Sequence, residues 1–230
     1  MAYGKGKQNM NTPVQAVIFD LDGVITDTAE YHYEAWKARA EELAIPFTRE
    51  SNEELKGISR MESLEKILVL GGKAHDFTEE QKIALADKKN EHYLTLIQNI
   101  SPADVLPGIN EFIAEIEAQG LRIGLASASK NAFAVLESLG LKDKFHAIVD
   151  AKTVLRGKPD PEIFLKAAHL LEVEPGACIG VEDAAAGVEA IKGAGMFAVA
   201  IGAKELFAHA DLVYESTAAL SLEAILPLVR

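Results

Sequence analysis

Four short apolar runs each end directly at a polar residue, and no other feature of this chain limits its fold as strongly. Nearly continuous apolar runs of this length are typical of parallel strands that are buried on both faces of a sheet. The runs and the polar residues that follow them are 17–19 before Asp20, 121–126 before Ser127, 147–149 before Asp150 and 177–181 before Glu182. A fifth run, 197–201, ends at Gly202.

Helical patterns separate these runs along the chain. They cover 109–119, 132–139, 160–171 and 184–194. Three of them stop at a glycine, the residue most favoured just beyond a helix end, and Asp160 with Pro161 is a typical helix start. Strands that alternate with helices predict an α/β fold with a doubly wound, Rossmann-like parallel sheet.

The stretch that follows the first run breaks this alternation. It contains three helical patterns, at 28–43, 52–70 and 78–100, with no strand between them. We interpret it as a small α-helical cap domain (27–102) inserted into a core domain that is formed by 14–26 and 103–230. Residues 1–13 are polar and contain several glycines and lysines, which predicts a flexible leader.

The composition excludes several classes of protein. With 23 basic and 35 acidic residues among 230, the net charge is −12, which does not suit binding to nucleic acid or anionic membranes through a basic face. The single Cys178 can form neither an internal disulfide nor a thiolate metal cage. No apolar stretch reaches the roughly 20 residues that span a bilayer. We expect a cytoplasmic monomer with small-molecule partners and with neither nucleic-acid nor membrane partners.

The carboxyl ends of parallel strands meet at one edge of a sheet, where ligands bind in α/β folds. The polar residues expected at that edge are Asp20, Ser127, Asp150, Glu182 and Asp183. Taken alone, the Asp20-Leu-Asp22-Gly motif is equally well explained as a solvated turn. Together with the acidic pair at 182–183 it indicates an oxygen cage for a hard divalent cation, and Mg²⁺ fits best.

Two further positions are candidates for binding an anion. The segment 127–131 lies between a strand and a helix, where backbone N–H groups favour phosphate, and Lys158 lies near the same edge. Taken singly, Ser127 is explained by helix capping and Lys158 by a solvated surface position. Taken with the acidic residues, they predict phosphoryl transfer to a nucleophilic carboxylate.

Four motifs, in chain order, resemble those of the haloacid dehalogenase-like phosphotransferases. They are 19–24 (Phe-Asp-Leu-Asp-Gly-Val), Ser127, Lys158-Pro159 and 180–183 (Gly-Val-Glu-Asp). The helical insert matches the small α-helical cap of that superfamily, and the resemblance covers the chain from about Val14 onward. The segments that favour its sugar-phosphate mutases are 20–32, 55–60, 89–90 and 127–131.

The resemblance implies a role for the residues of these motifs. Asp20 would attack phosphorus and become an aspartyl-phosphate, and Asp22 would be the general acid and base toward the sugar hydroxyl. Ser127 and Lys158 would hold the transferring phosphoryl group. The groups around Mg²⁺ would be Asp20, the backbone carbonyl of Asp22, Glu182 and Asp183.

Further matching positions would orient the acid/base and hold the rest of the substrate. Thr28 and His32, which share a helix face, would orient Asp22, although a surface histidine without a role fits the sequence nearly as well. Arg60 would contact the non-reacting phosphate, although by itself it is also explained as a solvated cap residue. The other phosphate-holding residues would be Ser129, Lys130 and Asn131. The remaining substrate contacts would be Lys56, Gly57, Ile58, Lys89 and Ala128.

Three functions are compatible with these positions. The resemblance implies a mutase that interconverts beta-glucose 1-phosphate and glucose 6-phosphate through an aspartyl-phosphate enzyme and beta-glucose 1,6-bisphosphate. A Mg²⁺-dependent phosphatase for small sugar phosphates or phosphoglycolate would use the same core chemistry. A non-catalytic binding module is disfavoured, because the acidic residues and the lysine are all in place. We therefore predict the mutase, an isomerase, with the phosphatase as the alternative.

Overall fold

The computed structural model describes residues 13–229, so the predicted leader lies outside the described residues except for Pro13. The strands are β1 (Ala16–Phe19), β2 (Arg122–Leu125), β3 (Ala147–Ile148), β4 (Cys178–Glu182), β5 (Phe197–Ile201) and β6 (Leu212–Tyr214). The α-helices are α1 (Ala29–Glu42), α2 (Arg49–Glu53), α3 (Arg60–Leu70), α4 (Glu79–Leu96), α5 (Ile109–Ala118), α6 (Ala132–Ser138), α7 (Glu162–Leu170), α8 (Ala185–Gly193) and α9 (Leu222–Ile225). No helix in this range is long and apolar enough to cross a membrane.

All six strands pair in parallel, in the order β3-β2-β1-β4-β5-β6. The register places Phe19, the last residue of β1, between Leu125 of β2 and Val181 of β4. The residues that come next on these three strands therefore lie side by side at one edge of the sheet. The strand order reverses between β1 and β4, and the crevice at such a reversal is the usual ligand position in α/β folds.

Strand β1 is buried on both faces of the sheet. Val17 and Phe19 belong to an apolar cluster shared with α5 and α6, whereas Ala16 and Ile18 belong to a second cluster shared with α7 and α8. Burial on both faces explains why this strand is apolar without alternation. The predicted doubly wound α/β core is confirmed.

Two features of the structure differ from the sequence predictions. The single helix predicted over 52–70 is wrong, because Gly57 adopts a left-handed conformation (φ 73°) and a new helix begins after Ser59. The Ser59 hydroxyl accepts the backbone N–H of Glu62, whose carboxylate accepts the N–H of Ser59 in return. Strand β6, which the sequence does not predict, is a three-residue edge strand that pairs with β5.

Helices α1 to α4 enclose an apolar cluster of their own. Trp36, Ile45, Leu64 and Leu68 are buried in this cluster. Tyr93, near the end of α4, instead joins the apolar cluster of the core. We propose that this helical segment is the cap domain, with the bounds 27–102 that the sequence predicts.

The chain enters and leaves the helical segment through two connections that are hydrogen-bonded to each other. The N–H of Leu106 donates to the carbonyl of Ile25 at 2.9 Å. The hydroxyl of Thr26 donates to the carbonyl of Asp104 at 2.8 Å. Both connections therefore lie together at the rim of the sheet, beside the end of β1.

Candidate active site

A cavity of about 390 Å³ has walls from both the helical segment and the carboxyl edge of the sheet. The predicted site residues that line it are Asp20, Asp22, His32, Lys56, Gly57, Ile58, Arg60, Lys89, Ser127, Ala128, Ser129, Lys130, Asn131 and Asp183. Three others, Thr28, Lys158 and Glu182, lie behind this wall. Thr28 contacts Asp22, and Lys158 bridges Asp20 and Glu182. The structure thus brings all of these residues together around one space.

Asp20 is held by a buried lysine. Lys158 Nζ lies 2.6 Å from Asp20 Oδ1 and 2.8 Å from Glu182 Oε2, and all three side chains are almost fully buried. Burial by itself lowers the pKa of Lys158, but the two carboxylates outweigh that effect and raise the pKa, so the lysine stays charged. The Asp20 carboxylate is therefore fixed in place at the cavity wall, as a nucleophile in phosphoryl transfer has to be.

Asp20, Glu182 and Asp183 form an acidic cluster. One oxygen from each carboxylate lies within 4.8 Å of the others, and no other group of three or more acids, histidines or cysteines within residues 13–229 meets that condition. Burial raises the pKa of Asp183 to about 7, and repulsion from Asp20 adds to the rise. Lys158 alone cannot balance these three carboxylates, of which those of Asp20 and Glu182 are buried and that of Asp183 is half-buried. The cluster has the excess charge and the oxygen donors that a hard divalent cation requires.

Two glycines leave space for these carboxylates. Gly23 has φ 77°, a left-handed conformation, and a Cβ atom there would overlap the Asp183 carboxylate. Gly187, in the first turn of α8, faces Glu182, and a Cβ atom there would overlap the Glu182 carboxyl group. Glu182 cannot yield easily, because Lys158 holds one of its oxygens and two backbone N–H groups hold the other.

Gly187→Ala is expected to lower the free energy of unfolding by about 1–3 kcal/mol, the usual result of overpacking a buried site. The added methyl group would displace Glu182 from Lys158. Gly193→Ala, in the same helix, is the matched control, since its Cβ atom would lie 3.5 Å from Pro161, an ordinary contact distance. Urea denaturation of both variants measures the difference. Equal stability of the two variants would contradict a tightly held Glu182.

Asp22 is oriented by side chains of the helical segment. Thr28 occupies the N-cap position of α1 without capping it, and its hydroxyl donates to Asp22 Oδ1 instead. His32 Nε2 lies 3.9 Å from Asp22 Oδ2, and Lys89 Nζ lies 2.7 Å from His32 Nδ1. The His32 ring also stacks on Tyr93, with 4.2 Å between ring centroids. Although Asp22 follows a core strand, its carboxylate thus depends on α1 and α4 for its position.

Burial shifts the pKa values of this group. It raises the pKa of Asp22 to about 7, and repulsion from Asp20 adds to the rise. It lowers the pKa of Lys89 to about 7, with a further contribution from Arg60, and it lowers the pKa of His32 well below its usual value. His32 is therefore neutral near pH 7, so that Nδ1 accepts from Lys89 and Nε2 carries the proton that faces Asp22. A carboxyl group that titrates near neutral pH is suited to general acid and base catalysis.

A second set of donors connects the helical segment with the core. Arg60 Nη2 donates to Asn90 Oδ1 at 2.7 Å, and Asn131 Nδ2 donates to the same oxygen at 2.8 Å. Lys130, which is exposed, lines the same cavity. A guanidinium, an ammonium and an amide around one space form a donor set that suits a phosphate group.

The loop 127–131 is fixed by its own hydroxyl groups. The Ser127 hydroxyl accepts the N–H of Ser129 at 3.1 Å, and the Ser129 hydroxyl accepts the N–H of Asn131 at 3.2 Å. Asn131, rather than Ser127, occupies the N-cap position of α6. Helix capping therefore does not explain Ser127, which is buried at the cavity wall beside Asp20.

The turn between α2 and α3 brings the helical segment against the core. Gly57 lies so close to Ala184 that a Cβ atom on Gly57 would be 3.2 Å from the Cβ atom of Ala184. The ammonium group of Lys56 pairs with Glu53 at 2.8 Å, and Ile58 packs against the apolar cluster of the helical segment. Only a residue without a side chain fits easily where the two parts of the chain meet at position 57.

The prediction that Asp150 joins the other polar residues of the sheet edge is wrong. Asp150 is exposed, and its carboxylate accepts the N–H of Lys152 at 3.0 Å to cap a short turn. Strand β3, which precedes it, lies at the edge of the sheet and is separated from β1 by β2. Asp150 is therefore too far along the sheet to contribute to the cavity.

Several cavity residues are absent from the predicted set. Asn52 and Ser63 are buried polar residues of α2 and α3, and Trp36 lies in α1. Their sequence surroundings carry no signal that separates them from ordinary helix positions. Asn90 directly follows Lys89, so the resemblance of that pair to the mutases was a signal that pointed to it.

The chain is similar to known proteins over most of its length. The beta-phosphoglucomutase of Bacillus subtilis (strain 168) is 52% identical over 212 residues, which are 92% of this chain and 94% of that protein. A crystal structure of beta-phosphoglucomutase from Clostridium difficile has a TM-score of 0.92 and 49% identity, covering 94% of this chain and 97% of that one. A phosphorylated carbohydrates phosphatase of Thermotoga maritima is 31% identical over 185 residues, 80% of this chain and 82% of that protein.

These similarities extend through both the core and the helical segment. A family model of haloacid dehalogenase-like hydrolases matches residues 14–195, a range that contains the acidic cluster, Lys158 and the loop 127–131. The relatives include isomerases as well as a phosphatase. The fold, the motifs and this match together show that the chain belongs to the haloacid dehalogenase-like hydrolase family.

Proposed function

We propose that this chain is a beta-phosphoglucomutase, an isomerase that interconverts beta-D-glucose 1-phosphate and D-glucose 6-phosphate. The 52% identity to the Bacillus subtilis mutase across both parts of the chain supports this function. The observation that supports this function most directly is the second set of donors, because Arg60, Lys130 and Asn131 line the same cavity as Asp20. A mutase has to bind a sugar with two phosphates, so it needs a phosphate site besides the one at its nucleophile.

The reaction begins with a phosphoryl group on Asp20. The 6-hydroxyl of glucose 1-phosphate attacks this phosphorus, the bond between phosphorus and the Asp20 oxygen breaks, and Asp22 takes the hydroxyl proton. The product is beta-glucose 1,6-bisphosphate and a free Asp20 carboxylate. Lys158, which lies 2.6 Å from Asp20 Oδ1, stabilises the carboxylate as it forms.

The second half of the reaction uses the same residues in reverse. The bisphosphate binds again with its 1-phosphate at Asp20, whose carboxylate attacks that phosphorus. The bond to the sugar oxygen breaks, and Asp22 returns its proton to this oxygen, which yields glucose 6-phosphate and the phosphorylated Asp20. Thr28 and His32 hold Asp22 in position for both proton transfers. The covalent intermediate divides one difficult displacement into two easier ones.

We propose Mg²⁺ as the cofactor of this site. Asp20, Glu182, Asp183 and the backbone carbonyl of Asp22 would hold it, and the excess negative charge of the acidic cluster supports this assignment. When bound, Mg²⁺ neutralises charge on the transferring phosphoryl oxygens. The carboxylate of Asp22 remains free for proton transfer, since it contacts Thr28 and is not part of the cluster.

A product assay tests this proposal directly. The protein is incubated with beta-glucose 1-phosphate, Mg²⁺ and a trace of beta-glucose 1,6-bisphosphate, and the products are separated. Glucose 6-phosphate is the expected product. Free glucose and inorganic phosphate would instead support the second candidate, a sugar-phosphate phosphatase. The observation behind this candidate is the 31% identity to the Thermotoga maritima phosphatase.

Arg60→Ala is expected to lower kcat/KM of the mutase reaction by at least about two orders of magnitude, the scale of a lost charge-assisted bidentate contact. The reason is that Arg60 offers two parallel N–H groups to the non-reacting phosphate, which a lysine cannot do. Steady-state kinetics with the sugar phosphate and with acetyl phosphate, which has no second phosphate, measure the effect.

The decrease in kcat/KM with the sugar phosphate should exceed the decrease in kcat/KM with acetyl phosphate by at least about tenfold. Arg49→Ala is the matched control, because Arg49 lies on the same helical segment but is exposed and pairs with Glu30. Equal losses with both substrates would assign Arg60 to the transferring site or to stability. No loss with either substrate would remove the second phosphate site from the proposal.

A further inference from the structure

One oxygen atom of Asn90 connects three elements of the chain. Asn90 Oδ1 accepts a hydrogen bond from Arg60 Nη2 at 2.7 Å and another from Asn131 Nδ2 at 2.8 Å. Arg60 begins α3, Asn90 lies in α4, and Asn131 precedes α6 of the core. All three residues line the cavity. The two donors therefore converge on a single neutral acceptor at the cavity wall.

The charge of Arg60 is only weakly compensated at this position. Its nearest carboxylate is that of Asp87, which lies 3.7 Å from Nη1 and is largely exposed to solvent. The close contact at 2.7 Å is made to an amide oxygen, which orients the guanidinium without cancelling its charge. A carboxylate in the same place would hold Arg60 more strongly, but it would also repel an anion.

We propose that Asn90 is a positioning residue for the non-reacting phosphate of the substrate. Its neutral oxygen aligns Arg60 and Asn131 at the cavity wall and leaves the positive charge of Arg60 available to the phosphate. The same oxygen also joins α4 to the core loop, so that it aligns donors from both parts of the chain with each other. This inference rests on the proposed function, which supplies a sugar that carries two phosphates.

The test compares two substitutions that a purely structural role would rank in the opposite order. The Kd of glucose 1,6-bisphosphate is measured by calorimetry in an Asp20→Asn background, where the ligand is not consumed. Asn90→Ala is expected to weaken binding by about tenfold, because the donors lose their alignment. Asn90→Asp keeps the shape and the acceptor oxygen, yet it is expected to weaken binding by at least a further factor of about ten, because it neutralises Arg60 and repels the phosphate.

Two controls accompany these measurements. Asn110→Asp adds the same charge at an exposed position of α5 and is expected to leave the Kd unchanged. Thermal unfolding is expected to show Asn90→Asp at least as stable as the Asn90 protein, because a carboxylate pairs more strongly with Arg60 than an amide does. Weak binding by a fully folded Asn90→Asp protein would support the proposal.

Three results would overturn the proposal. They are weaker binding by Asn90→Ala than by Asn90→Asp, equal binding by all variants, and failure of the bisphosphate to bind when Asn90 is unchanged. The proposed mutase activity is tested separately by the product assay. A protein that follows the expected order of binding but forms no glucose 6-phosphate would keep the role of Asn90 and lose the mutase function.

Discussion

Asp20→Asn is expected to reduce sugar-phosphate turnover by more than about 10⁴-fold, the scale on which enzymes lose activity without their nucleophile. An amide oxygen is a poor nucleophile, so no aspartyl-phosphate can form at this position. The fold is expected to persist, because Glu182 still pairs with Lys158 and the acidic cluster loses one of its repelling charges. Product formation measures the turnover. The mass of the protein after incubation with acetyl phosphate shows whether a phosphoryl group is added.

Asp143→Asn is the matched control for this variant. Asp143 is exposed in a short turn of the core, so the same change of charge there is expected to leave turnover and phosphorylation as they are. Turnover by Asp20→Asn within tenfold of the unchanged protein would remove Asp20 from the chemical role. Addition of a phosphoryl group to the Asp20→Asn protein would show that another residue is the nucleophile.

Asp22→Asn is expected to slow transfer between sugar and enzyme by about 10²–10⁴-fold, the usual contribution of a general acid and base. The nucleophile and the acidic cluster remain, and the amide keeps the oxygen that accepts from Thr28. Phosphorylation by acetyl phosphate should fall much less, because acetate leaves without needing a proton. Rapid-quench kinetics with each donor measure the two rates, and calorimetry measures the Mg²⁺ affinity.

The Mg²⁺ affinity decides whether the role of Asp22 is assigned correctly. It is expected to change little in Asp22→Asn, because the metal would use the backbone carbonyl of this residue. A collapse of Mg²⁺ binding would place the Asp22 carboxylate among the metal ligands. Equal slowing with the sugar phosphate and with acetyl phosphate would contradict proton transfer by Asp22 and indicate a role in positioning Asp20.

The fold was predictable from the sequence wherever burial alone decides the pattern. The runs that form β1 and β4 are buried on both faces, so their apolar sequences identify them. Strand β6 lacks this signal, because its three residues are only half-buried and its position depends on pairing with β5. The break between α2 and α3 was missed because it depends on the backbone conformation of Gly57, and apolar spacing does not report that conformation.

The candidate site was predictable to the extent that it follows from strand ends and motifs. Asp20 and Glu182 come together because their strands are neighbours in a parallel sheet. The role of Gly187 depends on the exact direction of the Glu182 side chain, which no spacing rule provides. The contacts of Asn90 cross 30 residues to Arg60 and 41 residues to Asn131. Such contacts depend on how the helical segment packs on the core, so they had to be read from the structure.

The hydrogen bonds between the two connections of the helical segment determine how that segment can turn. A segment that is joined to the core by one connection can rotate about several axes. Two connections that are hydrogen-bonded to each other restrict the rotation to one hinge axis. Ile25 is fastened to Leu106, and Thr26 to Asp104, immediately beside Asp22. We therefore expect the segment to rotate as one rigid body, so that Thr28 and Arg60 approach the core in the same movement. Arg60 would then bind the non-reacting phosphate at the same time as Thr28 orients Asp22. Water that enters an open cavity would meet an Asp22 carboxyl group that is not yet aligned.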